Sequence, residues 1–186
     1  MNGIVQEQAL VVTPPAPLPI STDRPSIFLA GSIDQGDAPD WQAEIIAMLA
    51  DLPVMIFNPR RKLWDEGWCA EADDPEFCHQ VEWELNGLDR ADIIAFYLAP
   101  GSSAPISLLE MGLYASSGRL SCPDGFWRKG NIDIVAERYA IHRAPNIEAL
   151  GHELRKNSRS IVCRDGTIAP RDRSCIASSR VEVDPS

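Results

Sequence analysis

The sequence predicts an α/β protein: a doubly wound parallel sheet of flavodoxin-like or Rossmann-like, three-layer α/β/α form, in a single domain. Three observations carry that expectation. Short apolar runs alternate with stretches of helical period between residues 26 and 156. The clearest strand, Asp92 to Leu98, is apolar without in-and-out alternation, as befits a strand covered on both faces. Several runs also stop at turn residues such as Gly31 and Asn58-Pro59. Strand alternating with helix implies parallel strands joined by right-handed crossovers, with helices on both sides.

In chain order, Ser26–Ala30 reads as a buried strand running into Gly31. Pro39 and Asp40 open a helix carrying Trp41, Ile45, Ile46 and Leu49. Val54–Phe57 is a second strand, and Pro75–Arg90 a helix with Phe77, Val81, Leu85 and Leu88 on one stripe. After the central strand, Pro105–Ser117 reads as a helix ending at Gly118, with Leu108, Leu109, Met111 and Leu113 supplying apolar surface. A strand at Arg119–Cys122, a loop to Gly130, a helix from about Asn131 to Glu137, a strand near Tyr139–His142 and a helix from about Asn146 to Lys156 complete the pattern.

The chain of 186 residues is long enough for one compact domain with appendages. Residues 1–25, with Pro14, Pro15, Pro17, Pro19 and Pro25, read as a proline-rich arm, either a solvated tail or a peptide laced onto a partner subunit. Residues 157–186 read as a polar tail, leaving 26–156 as the domain. That middle carries the whole net charge of -10, which repels a phosphate backbone and argues against duplex nucleic acid as a partner. No run approaches the roughly 20 apolar residues of a membrane helix, and Gln6, Glu7 and Gln8 interrupt any secretory signal, so a cytoplasmic protein is expected. The five cysteines form no CxxC pair, and Cys69, Cys78 and His79 match no zinc spacing, so neither a disulfide framework nor a metal site is expected.

In open parallel sheets ligands bind beyond the carboxyl ends of the strands. The stretches 31–37, 58–62, 99–110 and 123–131 therefore frame the expected crevice. Glu110 sits there, in the second turn of its helix, as a candidate nucleophile or base or, more simply, as a carboxylate favoured near a helix N-terminus. Arg128 and Lys129 open the next helix at the same edge, where basic side chains and free N–H groups suit a phosphate; the alternative is pairing with local acids. Arg60, Arg61 and Lys62 form a second basic cluster. The backbone of Gly31 and Ser32 is placed to close over a ligand, with Asp34 as a polar contact. Trp83 either stacks on a base or belongs to the core, whereas Asp92, at the opposite end of its strand, reads as structural.

Three strings taken in order, Ile27-Phe-Leu-Ala-Gly-Ser32, Gln80-Val-Glu-Trp-Glu-Leu-Asn-Gly-Leu-Asp-Arg-Ala-Asp92 and Leu108-Leu-Glu-Met-Gly-Leu-Tyr-Ala115, resemble the nucleoside 2-deoxyribosyltransferase family, in its divergent deoxyribosyltransferase-like branch. The resemblance covers roughly residues 26–143. It implies that Glu110 is a nucleophile attacking the anomeric carbon to hold the sugar as a glycosyl ester. Glu84 is then the carboxylate that assists departure of the base. The implied reaction cleaves the N-glycosidic bond of a nucleoside or nucleoside monophosphate and transfers the sugar to another base or to water, without a cofactor; the alternatives are a catalytically inactive nucleotide-binding module and an interaction protein that recruits a partner through its proline-rich arm and polar tail. Homo-oligomers, dimeric or larger, are implied too; the apolar helix face around Leu113 and Tyr114 is either a suitable contact or buried core. The sequence departs from the family pattern at Ser102-Ser-Ala-Pro105, where an aspartate holding a sugar hydroxyl is expected and no acid occurs. Hydroxyls of Ser102 and Ser107 are the available substitutes.

Overall fold

A computed structural model of the chain describes residues 8–20, 24–34, 38–61 and 70–161. Six parallel strands form one sheet: β1 (Leu10–Val12), β2 (Ser26–Gly31), β3 (Met55–Phe57), β4 (Ile93–Tyr97), β5 (Leu120–Pro123) and β6 (His142–Ala144). Five helices accompany them: α1 (Trp41–Leu49), α2 (Pro75–Arg90), α3 (Pro105–Tyr114), α4 (Lys129–Arg138) and α5 (Ile147–Ile161). The strand order is β1-β3-β2-β4-β5-β6. With β1 set aside as an added edge, the remaining five strands follow the flavodoxin-like order, in which the chain reverses direction across the sheet between its first and third strands. Here that switch point lies between β2 and β4, paired from Ile27 opposite Ile93 to Gly31 opposite Tyr97.

Alternate strand residues feed two cores. Phe28 and Ala30 of β2, Phe57 of β3, and Ile94 and Phe96 of β4 face α2, α3 and α4, while Ile27, Leu29, Ile56 and Ala95 face α1 and α5. Each of the enclosed large side chains contributes about 1.5–3 kcal/mol of burial. Helix α2 begins where the sequence places it: Asp74 accepts from the N–H groups of Glu76 and Phe77, and Pro75 occupies the first turn. Its Gly87 presses against β2, since a Cβ there would stand 2.6 Å from the Phe28 ring.

Three expectations change. The N-terminal segment is no detached arm, because Val11 pairs with Ile56 in β1, and Ala16, Leu18 and Pro19 offer carbonyls to Trp83 and Arg90 of α2. It laces onto its own domain, so the unit starts before residue 26, and α5 carries it past 156 to Ile161. The last strand lies at His142–Ala144 rather than Tyr139–His142, because Tyr139 and Ala140 form the turn that ends α4, Ala140 with φ +52. The buried face of α2 is also rotated from the apolar stripe: Gln80, Trp83, Gly87 and Leu88 are inside, and Leu85 is exposed.

Gly31 is the tightest point of the sheet. Its φ is +135, and a Cβ on it would lie 2.0 Å from the Tyr97 carbonyl oxygen. Gly31→Ala is therefore expected to cost at least about 2 kcal/mol, combining a strained dihedral with backbone displacement. Chemical denaturation read by circular dichroism would check this; an unchanged midpoint would mean that the two strand ends are not held together as described.

Candidate active site

The crevice floor is built at the switch point. Beyond Gly31, the Ser32 N–H donates to the Tyr97 carbonyl at 2.8 Å, and the Ala99 N–H donates to Ser32 Oγ at 3.0 Å. Ser32 is buried, and its carbonyl accepts from Trp41 Nε1. Gly31 and Ser32 thus zip β2 to the end of β4, and the hydrogen-bonding groups expected to close over a ligand are spent on the protein. At the rim, Ser102 Oγ donates to Asp34 Oδ1 at 2.9 Å, bringing a carboxylate from the β2 loop to the stretch that lacks one. Trp127 Nε1 donates to the Ser102 carbonyl, and the Arg128 guanidinium lies 4.2 Å from the centre of the Trp127 ring.

Helix α3 forms one wall. Its N-cap, Ala104, is left-handed with φ +43, no side chain caps the helix, and Pro105 takes the first position. Ser107 and Glu110, three residues apart, lie on the buried face with Met111. Ile106, Leu109 and Leu113 are exposed, so the apolar surface expected from Leu109 and Leu113 faces solvent. Tyr114 is half-buried and donates to Asp89 at 2.7 Å under the Arg119 guanidinium, which ties α3 to the end of α2. The Glu110 side chain is 9% exposed, and no hydrogen bond to it exists among the described residues.

Helix α2 forms the other wall and carries Glu84 on its inner side. Glu84 Oε1 accepts from Gln80 Nε2 at 2.6 Å. Gln80 is itself buried; its Nε2 also donates to the Pro59 carbonyl at 3.2 Å, and its Oε1 accepts from Arg61 Nε at 2.5 Å. Burial raises the Glu84 carboxyl from 4.5 to about 7, against the lowering pull of the Gln80 hydrogen bond and the Arg61 charge. Glu110 is raised from 4.5 to about 8, first by burial and then by the charge of Glu84. The two carboxyls therefore share one electrostatic environment and favour retention of a proton between them near neutrality.

The other candidates fall into place around this pair. Trp83 is no base-stacking platform: 4% exposed, its ring packs on Phe28 and its Nε1 donates to the Ala16 carbonyl, leaving no free face. Lys129 is held by Asp133 at 2.8 Å and Asp124 at 3.7 Å, so its charge is already answered locally. Arg60 clamps the loop before α1 through the carbonyls of Ala38 and Pro39. Asp92 is structural, its Oδ2 accepting from the N–H and Oγ of Ser26. Lys62 and Cys69 lie outside the described residues. Gln80 was not singled out from the sequence, although a glutamine and a glutamate four residues apart on the enclosed face of an otherwise amphipathic helix are the available signal.

Among the described residues, no group of three or more His, Cys, Asp or Glu side chains could hold a metal ion. No described helix is long and apolar enough to cross a membrane. Cys122 is buried, and that burial raises its thiol to about 11, out of the reactive range.

Among curated proteins no significant match to the chain is found. A crystal structure of a conserved protein from Enterococcus faecalis V583 superposes with a TM-score of 0.50 at 12% identity, covering 72% of this chain and 99% of that one, and so shares the fold. The family model described as nucleoside 2-deoxyribosyltransferase like matches residues 24–126, which include β2, α2, β4 and α3 and hence both wall carboxylates. The chain belongs to the nucleoside 2-deoxyribosyltransferase-like family.

Proposed function

We propose that the protein cleaves the N-glycosidic bond of a nucleoside or nucleoside monophosphate, with Glu110 as nucleophile and Glu84 as acid and base. The observation that carries this reading is an enclosed carboxylate on α3, without a hydrogen bond among the described residues and within reach of the charge of a second carboxylate on α2, in a family of nucleoside glycosyl-transfer proteins. The Glu110 carboxylate attacks C1′ as the bond to the base breaks, and the Glu84 carboxylic acid gives its proton to the departing base nitrogen. The sugar is then held as a glycosyl ester. A second base or water attacks C1′, gives a proton to the Glu84 carboxylate and frees Glu110. A pair holding one proton contains one carboxylate and one carboxylic acid, and the reaction requires that the proton reside on Glu84 when the base departs.

Asp34 serves as the acceptor for a sugar hydroxyl, oriented by Ser102, with the free Ser107 hydroxyl beside Glu110. Arg128, whose guanidinium meets an aromatic ring rather than a carboxylate, is the better anchor for a 5′-phosphate than Lys129. A panel of ribo- and deoxyribonucleosides and their monophosphates, with and without a free base, tests the reading by chromatography. Base release or exchange is expected, and Glu110→Gln should lower it by at least about a thousandfold. Full activity in that variant would remove Glu110 as nucleophile.

Arg128→Ala is expected to weaken monophosphates more than nucleosides, whereas Lys129→Ala affects neither. Equal losses for both ligand types in Arg128→Ala would refute the anchor.

The carboxyl pair also sets a pH dependence of stability. With folded values near 7 and 8 against 4.5 for both, the folded chain binds more protons than the unfolded one between about pH 4.5 and 8. The stability this contributes is full below the unfolded value and is lost as pH rises through the folded values. Thermal unfolding from about pH 5 to 9 should therefore show the Glu84→Gln, Glu110→Gln double variant gaining on the wild type as pH rises. Parallel curves would mean that the pair titrates normally.

A further inference from the structure

Buried polar side chains on a helix face are expensive unless each hydrogen-bonding group is answered. Gln80 answers all of its own. Its Oε1 takes the Arg61 Nε–H at 2.5 Å, and its two Nε2 hydrogens go to the Pro59 carbonyl at 3.2 Å and Glu84 Oε1 at 2.6 Å. A flipped amide would set its NH2 against the Arg61 N–H and its oxygen against the Pro59 carbonyl. Both contacts would be repulsive, so Arg61 and Pro59 together determine which end of the amide meets Glu84. Glu84 Oε1 therefore always faces a donor, while no hydrogen bond to Oε2 exists among the described residues.

We propose that Gln80 and Arg61 are positioning residues that act through Glu84: the locked amide of Gln80 reserves Oε1 as an acceptor, so that the proton Glu84 delivers and recovers resides on Oε2. The inference rests on the proposed acid and base role of Glu84. It extends that role to two side chains that stand behind the carboxyl, Gln80 bonded to it and Arg61 bonded to Gln80. The relay also supports the ionised form of Glu84, without which an enclosed carboxyl would hold its proton too tightly to release it. Among the described residues, the charged groups facing Glu84 are Arg61 beyond β3 and Glu110 on α3. Gln80 is the neutral link between Arg61 and the carboxyl.

The test is a carbon-13 NMR titration of the full chain labelled at glutamate side-chain carboxyls, with Glu84 and Glu110 assigned through Glu84→Gln and Glu110→Gln. In Gln80→Met, close in volume to the wild type, the Glu84 midpoint is expected to rise by about one pH unit. The Glu110 midpoint should fall, because a more fully protonated Glu84 repels it less. Mere loosening of the helix would admit water and lower both midpoints, and that result, or an unmoved Glu84, would overturn the proposal. A second pair guards against a misfolded variant. Arg61→Met should raise the Glu84 midpoint as Gln80→Met does, whereas Arg61→Lys, which can still donate to the amide oxygen, should largely preserve it; equal shifts in the two would also overturn the relay. The same variants separate the two levels of the argument. If Gln80→Met moves both midpoints as expected but no nucleoside of the panel is turned over, the function fails and the relay stands. If turnover depends on Glu110 while Gln80→Met leaves Glu84 unmoved, the relay fails and the function stands.

Discussion

The contact between Gly31 and the Tyr97 carbonyl governs the rest of the architecture. Only a residue without a Cβ can bring the end of β2 this close to the end of β4, and Ser32 continues the seam by bonding to Tyr97 and Ala99. The consequence is topological as well as local. These two strands flank the point at which the chain changes direction across the sheet, so connections leaving them diverge at the place where open parallel sheets take their ligands. Asp34 departs from one side of the seam and the stretch 99–104 from the other, and the bond between Ser102 and Asp34 rejoins them at the rim.

Above that floor, α2 and α3 both turn polar side chains inward and apolar ones outward. Gln80, Ser107 and Glu110 are buried, with Glu84 on the inner side of α2, while Leu85, Ile106, Leu109 and Leu113 meet solvent. This inversion costs desolvation, and the raised carboxyls of Glu84 and Glu110 are its electrostatic record. The fold offsets that cost elsewhere: Trp83 and Leu88 of α2 and Met111 of α3 still enter the core, Gly87 lets α2 settle onto Phe28, and Asp74 caps its start. The N-terminal segment takes part in the same support. By accepting hydrogen bonds from Trp83 and Arg90, it braces the helix that carries Glu84.

The strands were legible in the sequence because a buried parallel strand leaves an uninterrupted apolar run, and the starts of α1 and α2 fall where Pro39-Asp40 and Pro75 mark a helix beginning. The rotation of α2 was not. An apolar period shows where a helix forms, but when the enclosed face belongs to a site, its polar residues break the pattern and the exposed leucines imitate a core stripe. The N-terminal prolines misled for a related reason. They exclude helix and central strand, yet Leu10–Val12 can still pair along the edge strand β3, and that pairing depends on a partner more than forty residues away.

The sequence by itself determined the parallel α/β class, the order of its elements from β2 onward, the strand ends that frame the expected crevice, and Glu110 and Glu84 as the residues to examine, since all of these follow from local pattern and from ordered motifs. Only the tertiary structure decided that Trp83 belongs to the core, that Lys129 is taken by Asp124 and Asp133, that Asp34 reaches Ser102, and that Arg61 and Gln80 stand behind Glu84. Each of those facts is a matter of what one side chain meets across the fold. Burial and hydrogen-bond partnership between distant segments depend on packing, which periodicity along the chain does not encode.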